Sequence, residues 1–151
     1  MKKVIRFLLI LVLIITLILL YARYVGTTGL ITKEDKIETS EIPETFDGLK
    51  IVHFSDLHYL RVTNSNTLKD IVEEINLINP DIVFFTGDLI DKDFEISEKE
   101  EKELIELLSS INSKYGKYSV IGNHDYVKEE ELLNNIYTNS DFILLQNNYD
   151  I

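Results

Sequence analysis

Hydrophobic and polar positions follow two different patterns, and the first is an almost unbroken apolar run near the N-terminus. From Phe7 to Ala22 only Thr16 and Tyr21 carry a polar group. The stretch 4–25 has 22 residues, which at ~1.5 Å per helical residue is enough to cross about 30 Å of hydrocarbon. We therefore predict a single membrane-spanning anchor over residues 1–25.

A cleaved signal peptide is the alternative interpretation of this run. It would have a shorter apolar core and small residues at a cleavage site, whereas "YARYVGTTG" contains no A-x-A pattern. The cations Lys2, Lys3 and Arg6 precede the run and Arg23 closes it, which favours a cytoplasmic N-terminus. An uncleaved single-pass anchor in the cell membrane, with the rest of the chain on the extracytoplasmic side, is the preferred interpretation.

The second pattern begins after a polar linker, residues 26–48, in which 36–42 could form an edge strand. From residue 49 onward, short apolar runs alternate with apolar residues at helical spacing. The runs predict four strands, over 49–54, 81–87, 118–122 and 142–147. The helical spacing predicts three intervening helices, marked by Leu68, Ile71, Val72, Ile75 and Ile78, by Leu104, Leu107, Leu108 and Ile111, and by Leu132, Leu133 and Ile136.

Local signals support the predicted helices. One of residues 64–66 can cap the first, Pro80 follows its end, and Ser97 with Glu100 forms a possible capping box for the second. Alternating strands and helices of this length predict an α/β fold with a parallel sheet and right-handed crossovers. Ligands of such sheets bind at the carboxyl ends of the strands.

Composition narrows the chemistry. The 151 residues include no cysteine, so disulfides and thiolate metal sites are excluded. The net charge is −11 and residues 1–25 carry +4, so the remainder carries −15. We expect no nucleic-acid binding, because that function needs clustered Lys and Arg.

Polar clusters follow the first three predicted strands. They are Asp56 and His58; Asp88 and Asp91; and Asn123, His124 and Asp125. The clusters are spaced by about one strand–helix–strand unit, and neighbouring parallel strands lie ~4.8 Å apart, so all three can meet in one volume. Crowded carboxylates with imidazole and amide groups suit divalent cations such as Mn, Fe or Zn.

Taken singly, these residues have simpler interpretations. Asp56 or Asp88 could cap the next helix, and Asn123 with Asp125 could form an ordinary turn. Asp91 could be a solvated loop acid or a supporting residue, and His53, inside the first strand, a packed core histidine. The joint occurrence of all three clusters in this order favours a metal site.

The segments "SDLH", "GDLID" and "GNHD" resemble the D-x-H, G-D-x-x-D and G-N-H-D/E blocks of the calcineurin-like metallophosphoesterases. The resemblance covers about residues 49–147 and is strongest to the membrane-anchored bacterial branch. It implies that 49–151 form the N-terminal half of an αββα sandwich, preceded by one transmembrane helix.

The resemblance also implies roles for the site residues. Asp56 and His58 would bind a first metal, Asp88 would bridge two, Asn123 would bind the second, His124 would act on the scissile phosphate or its leaving group, and Asp125 would orient His124. Two divalent ions would share a bridging hydroxide that attacks a phosphoric mono- or diester. The membrane tether makes a lipid or envelope-derived substrate plausible.

The family pattern continues with "GH" and "GHxH" blocks, but the three histidines here are His53, His58 and His124. We therefore expect a fragment of a membrane-anchored hydrolase, with little or no turnover from residues 26–151. The alternative is a non-catalytic, membrane-tethered binding or partner protein with a partial metal site.

Overall fold

The computed structural model describes residues 2–24, 29–91, 93–127 and 130–150, and these fall into two compact units. The first, Met1–Ile37, contains helix α1, Lys2–Tyr24. By length and composition, Lys2–Ala22 is apolar enough to cross a membrane. The Thr16 hydroxyl donates to the Val12 carbonyl at 2.9 Å, so this polar group is satisfied within the helix.

The second unit, Glu38–Ile151, is the predicted α/β fold. Its four parallel strands lie in the order β1-β2-β3-β4: β1 Ile51–Phe54, β2 Ile82–Phe85, β3 Gly116–Ser119 and β4 Phe142–Leu144. The helices are α2 Ser65–Ile78, α3 Glu98–Ser109 and α4 Glu130–Asn139, with short 3-10 turns at Glu44–Phe46 and Asp125–Val127. Helix α2 packs beside α3, and α3 beside α4.

The predicted helix ends are confirmed. The Asn64 side chain accepts from the Thr67 N–H at 3.0 Å and caps α2. Ser97 and Glu100 form the reciprocal capping box of α3. These caps satisfy N–H groups that the first helical turn leaves without partners.

Two strand predictions were wrong. Residues 36–42 contain no strand. The third strand is Gly116–Ser119 rather than 118–122: the Val120 N–H still donates to the Phe85 carbonyl at 3.1 Å, but residues 120–122 lie in the following loop.

One face of the sheet carries the core. The strand side chains on this face, Val83 and Phe85 among them, are buried with Leu68, Leu104 and Leu133 of the three helices. Strand period two places alternate residues on the opposite face.

The opposite face is open across a row of residues in register: His53, Phe84, Tyr118 and Ile143. Phe84 is 36% and Ile143 43% exposed. His53 is exposed and its Nε2 lies 2.8 Å from the Thr86 hydroxyl, so the prediction of a packed core histidine was wrong. Its side chain lies on the face away from the helices.

Candidate metal centre

The loops that follow β1, β2 and β3 are bonded to each other at the carboxyl edge of the sheet. The Asp56 N–H donates to the Gly87 carbonyl and the His58 N–H to the Asp88 carbonyl, both at 3.0 Å. The His124 N–H donates to Asp88 Oδ1 at 2.8 Å. The three polar clusters therefore form one connected site.

Two glycines allow this close approach. A Cβ on Gly87 would lie 2.2 Å from the Gly122 nitrogen, and one on Gly122 would lie 2.3 Å from the Asp88 nitrogen. Neither gap accommodates a side chain. The β2 and β3 loops can therefore touch only because both positions are glycine.

Three candidate ligands have left-handed backbone conformations. The φ angles are +56° at Asp56, +39° at His58 and +57° at Asp88. Asp and His adopt this region more readily than most residues, but at some cost. The interloop hydrogen bonds hold them there, and the turn redirects each side chain as its strand ends.

The side chains of Asp56, His58 and Asp88 converge. Each offers one ligand atom, and these atoms all lie within 4.8 Å of one another. His58 Nε2 is 3.9 Å from both Asp56 Oδ1 and Asp88 Oδ2, too far for hydrogen bonds. Such a spacing fits ligands arranged around a shared cation with bonds of about 2.0–2.2 Å. We call these three residues the ligand cluster.

The helix-cap interpretation of the two aspartates is excluded. The α2 cap is Asn64 and the α3 cap is Ser97. Instead, Asp56 accepts a close hydrogen bond from the Ser55 hydroxyl, and Asp88 accepts from the His124 amide.

Behind the ligand cluster lies a second group, His58, Asp91 and His124. Asp91 is 1% exposed, so it is not a solvated loop acid. Its Oδ2 lies 3.3 Å from His58 Nδ1 and 3.6 Å from His124 Nδ1. The two rings stand edge to face, with centroids 4.9 Å apart.

The Asp91 carboxylate also contacts the guanidinium of Arg61 closely, and its Oδ1 accepts from the Asp93 N–H at 3.2 Å. Burial alone would raise the pKa of Asp91. The Asp93 amide and the Arg61 guanidinium outweigh burial, so the pKa lies below its ordinary value.

Arg61 distinguishes the two groups. It supplies the positive charge that the buried Asp91 needs, so a second cation there would meet electrostatic repulsion. Among the described residues, no Lys or Arg side chain forms an ion pair with Asp56 or Asp88. A divalent ion is therefore expected at the ligand cluster rather than behind it.

Asp125 faces backbone N–H groups and not the His124 ring, which the resemblance implies it would orient. It is fully buried, and its carboxylate accepts from four backbone N–H groups: Asp88 at 2.7 Å, Leu89 at 2.9 Å, Ile90 at 3.3 Å and Gly122 at 3.0 Å. The carboxylate that faces the His124 ring is that of Asp91. Asp125 thus ties the β3 loop to the β2 loop.

The other two predicted site residues of the β3 loop, Asn123 and His124, lie between Gly122 and Asp125. Asn123 is exposed between Gly122 and His124. The His124 side chain is 28% exposed.

Arg61 was missed by the sequence interpretation, since a single basic residue three positions after His58 belongs to none of the three blocks.

Comparison with known proteins agrees with the geometry. The family model described as calcineurin-like phosphoesterase matches residues 49–150. An uncharacterized metallophosphoesterase of Bacillus subtilis, YkuE, is 40% identical over 106 residues, which cover 70% of this chain and 36% of that protein.

Two further relatives are similar over shorter stretches. The UDP-2,3-diacylglucosamine pyrophosphatase LpxG of Chlamydia muridarum is 37% identical over 79 residues, 52% of this chain and 23% of that protein. A transmembrane protein with metallophosphoesterase domain of Danio rerio is 34% identical over 91 residues, 60% of this chain and 20% of that protein. The chain thus spans well under half of the length of each of these three relatives.

Proposed function

The chain belongs to the calcineurin-like phosphoesterase family, and from this premise we propose that it serves metal-dependent hydrolysis of phosphoric mono- or diesters. The observation that carries the proposal is the ligand cluster, whose spacing fits a divalent cation. Among the described residues, no Lys or Arg side chain neutralises its two carboxylates in place of such an ion. These residues match the family's sequence blocks, which supports phosphoester hydrolysis as the reaction that such a cation would serve.

Each residue has a proposed part in this chemistry. Asp56, His58 and Asp88 would hold one divalent ion, and Asp88 with Asn123 would hold a second. When bound, such ions neutralise phosphoryl oxygens and generate a nucleophile from water. The left-handed turns at Asp56, His58 and Asp88 aim these ligands in advance of binding.

His124 is the proposed acid toward the leaving group. It lies next to the ligand cluster, with its amide on Asp88, and its ring is partly open to solvent. Asp91 near its Nδ1 favours a proton on that nitrogen and would stabilise a charged imidazole. Proton donation by a positioned histidine typically contributes about 10²–10⁴-fold to rate.

The proposed substrate is a phosphoester from a lipid or from the cell envelope. The apolar helix Lys2–Ala22 would tether the site near a bilayer, with the N-terminus cytoplasmic and the Glu38–Ile151 unit extracytoplasmic. A relative named UDP-2,3-diacylglucosamine pyrophosphatase supports a lipid-derived substrate.

A second candidate is a membrane-tethered partner protein that binds one metal ion without catalysis. The residues proposed for the second ion, Asp88 and Asn123, are fewer than the three of the ligand cluster, which favours binding of a single ion.

The test is Mn²⁺-dependent hydrolysis of bis(p-nitrophenyl) phosphate by the full chain in detergent, compared with His124→Ala and with His53→Ala as the control. Because few second-metal ligands lie within these residues, we expect slow turnover and compare variants instead of absolute rates. A wild-type rate well above that of His124→Ala, with His53→Ala unaffected, supports the hydrolase. Equal rates in all three, with Mn²⁺ bound, would show that His124 does not act as an acid in this chain and would favour the metal-binding partner protein.

A further inference from the structure

Arg61 lies at the edge of the site in a hydrogen-bonded turn. The N–H groups of Arg61 and Val62 both donate to the His58 carbonyl at 2.9 Å, and the Leu60 N–H donates to the Thr63 carbonyl at 2.8 Å. The fully buried Tyr59 anchors this turn, with its hydroxyl 2.9 Å from that of Ser65. The backbone of Arg61 is therefore bonded directly to that of His58.

The guanidinium of Arg61 contacts Asp91 Oδ2, the oxygen that faces both imidazoles. The Arg61 side chain is 50% exposed, whereas that of Asp91 is 1% exposed. Within the described ranges, Arg61 is the cation paired with this buried carboxylate. The Arg61 side chain thus extends from solvent to the buried Asp91 carboxylate.

Both imidazoles turn Nδ1 toward Asp91. The Nδ1 atoms of His58 and His124 are buried, and neither makes a well-aligned hydrogen bond with any described residue. The Asp91 carboxylate, at 3.3 and 3.6 Å, is the group that favours an N–H on each Nδ1. The opposite nitrogen of His58, Nε2, faces Asp56 and Asp88 and must keep its lone pair to bind a cation.

We propose that Arg61 is a positioning residue that holds the Asp91 carboxylate against His58 and His124, so that both rings keep a proton on Nδ1. Nε2 of His58 is then free to bind a cation, and Nε2 of His124 is the atom that exchanges a proton with the leaving group. This inference deepens the proposed function and rests on it for what the Nε2 atoms do: metal binding by His58 and proton donation by His124. Partners of metal-ligating histidines commonly set the tautomer in this way.

The experiment is nitrogen NMR of the full chain in detergent micelles, with ¹⁵N-labelled histidine and a chelator present. Three histidines give a simple spectrum, and His53, paired with Thr86, is an internal reference. We expect His58 and His124 to be protonated on Nδ1 in the wild type and to become tautomer mixtures in Arg61→Met. Lys69→Met, which removes an exposed cation from helix α2, should leave both unchanged.

A second readout is Mn²⁺ affinity, measured by titration calorimetry. Arg61→Met should weaken binding by about tenfold, the lower end of what lost supporting partners cost. Arg61→Lys, which keeps a cation beside Asp91, should recover part of the loss. In an Asp91→Asn background, Arg61→Met should change neither readout further, because the two residues act through one carboxylate.

Unchanged tautomers in a folded Arg61→Met protein would overturn the proposal. An equal effect of Arg61→Met with and without Asp91 would also overturn it, by showing that Arg61 acts through another group. If Arg61→Met fails to fold, the decision rests on Arg61→Lys: wild-type tautomers support the proposal and disturbed ones contradict it. The tautomers are read without metal or substrate, so an absence of hydrolysis would count against the proposed function and not against this inference.

Discussion

At the scale of single residues, two buried aspartates near the site differ in what they face. Asp91 faces two imidazoles and a guanidinium, whereas Asp125 faces four backbone amides. The first arrangement suits charge and orientation at the site, and the second suits cohesion of its loops. The two side chains should therefore respond to substitution in different ways.

Asp125→Ala should destabilise the fold strongly, because it leaves four backbone N–H groups with no side-chain acceptor. Each unsatisfied buried group costs about 1–3 kcal/mol, so we expect a loss of at least ~3 kcal/mol in the free energy of unfolding. Urea denaturation followed by circular dichroism measures this loss. His124→Ala is the matched control and should cost less than ~1 kcal/mol. Equal losses in the two variants would show that Asp125 does not hold the loops together.

The stability of the protein should depend on pH through Lys117. This side chain is 5% exposed, and its ammonium donates to the carbonyls of Leu108 and Ser109 at 3.2 and 3.3 Å. Burial lowers the pKa of Lys117, although the charge of Asp141 partly opposes the shift. With the folded pKa below the unfolded one, the unfolded state binds more protons in the alkaline range, so this residue favours folding more as pH rises.

Lys117→Met should remove that contribution. The free energy of unfolding of the wild type, relative to Lys117→Met, should increase between neutral pH and about pH 10, near the unfolded pKa of lysine. Chemical denaturation at both pH values measures the difference. A constant or falling difference would contradict the shift. Lys69→Met, at an exposed lysine on α2, provides the control.

At the scale of elements, the sequence predicted what depends on local chemistry. Helical spacing, Asn64 and the Ser97–Glu100 box located α2 and α3, because caps act within a few residues. The meeting of Asp56, His58 and Asp88 followed from strand order, since the carboxyl ends of parallel strands share one edge.

The errors concern tertiary contacts. The exposure of His53 depends on which sheet face the helices cover, and residues 120–122 leave the sheet because the β3 loop must approach Asp88. The roles of Arg61 and Asp125 depend on contacts across 30 or more residues. Spacing along the chain does not specify such contacts.

Gly122→Ala tests the contact between the β2 and β3 loops. The added Cβ would lie 2.3 Å from both the Asp88 nitrogen and its Oδ1, so the loops must separate. We expect Mn²⁺ affinity to fall by more than tenfold and stability to drop by about 1–3 kcal/mol, as for overpacking. Calorimetry and urea denaturation measure the two effects.

Gly48→Ala is the control for the preceding substitution. A Cβ at Gly48 meets nothing within 4 Å, but its φ of +78° is unfavourable for alanine. It should cost about 1 kcal/mol and leave Mn²⁺ affinity intact. Retained affinity in Gly122→Ala would show that loop contact is not needed to form the site.

At the scale of the whole molecule, one unit is an apolar helix and the other an acidic α/β domain. The positive charges before the apolar stretch predict that the domain lies outside the cytoplasm. Because these 151 residues contain no cysteine, Lys36→Cys introduces a unique thiol among them. A membrane-impermeant maleimide should label it in intact cells. Labelling only after lysis would reverse the predicted orientation.

The claim on which the proposed chemistry depends is that a divalent cation binds between Asp56, His58 and Asp88. Anomalous diffraction from crystals of the full chain soaked in Mn²⁺ tests it most directly. We predict a manganese peak ~2.0–2.2 Å from His58 Nε2 and from one oxygen of each aspartate. No peak at the ligand cluster, or a peak between His58, Asp91 and His124 with Arg61 displaced, would contradict that claim.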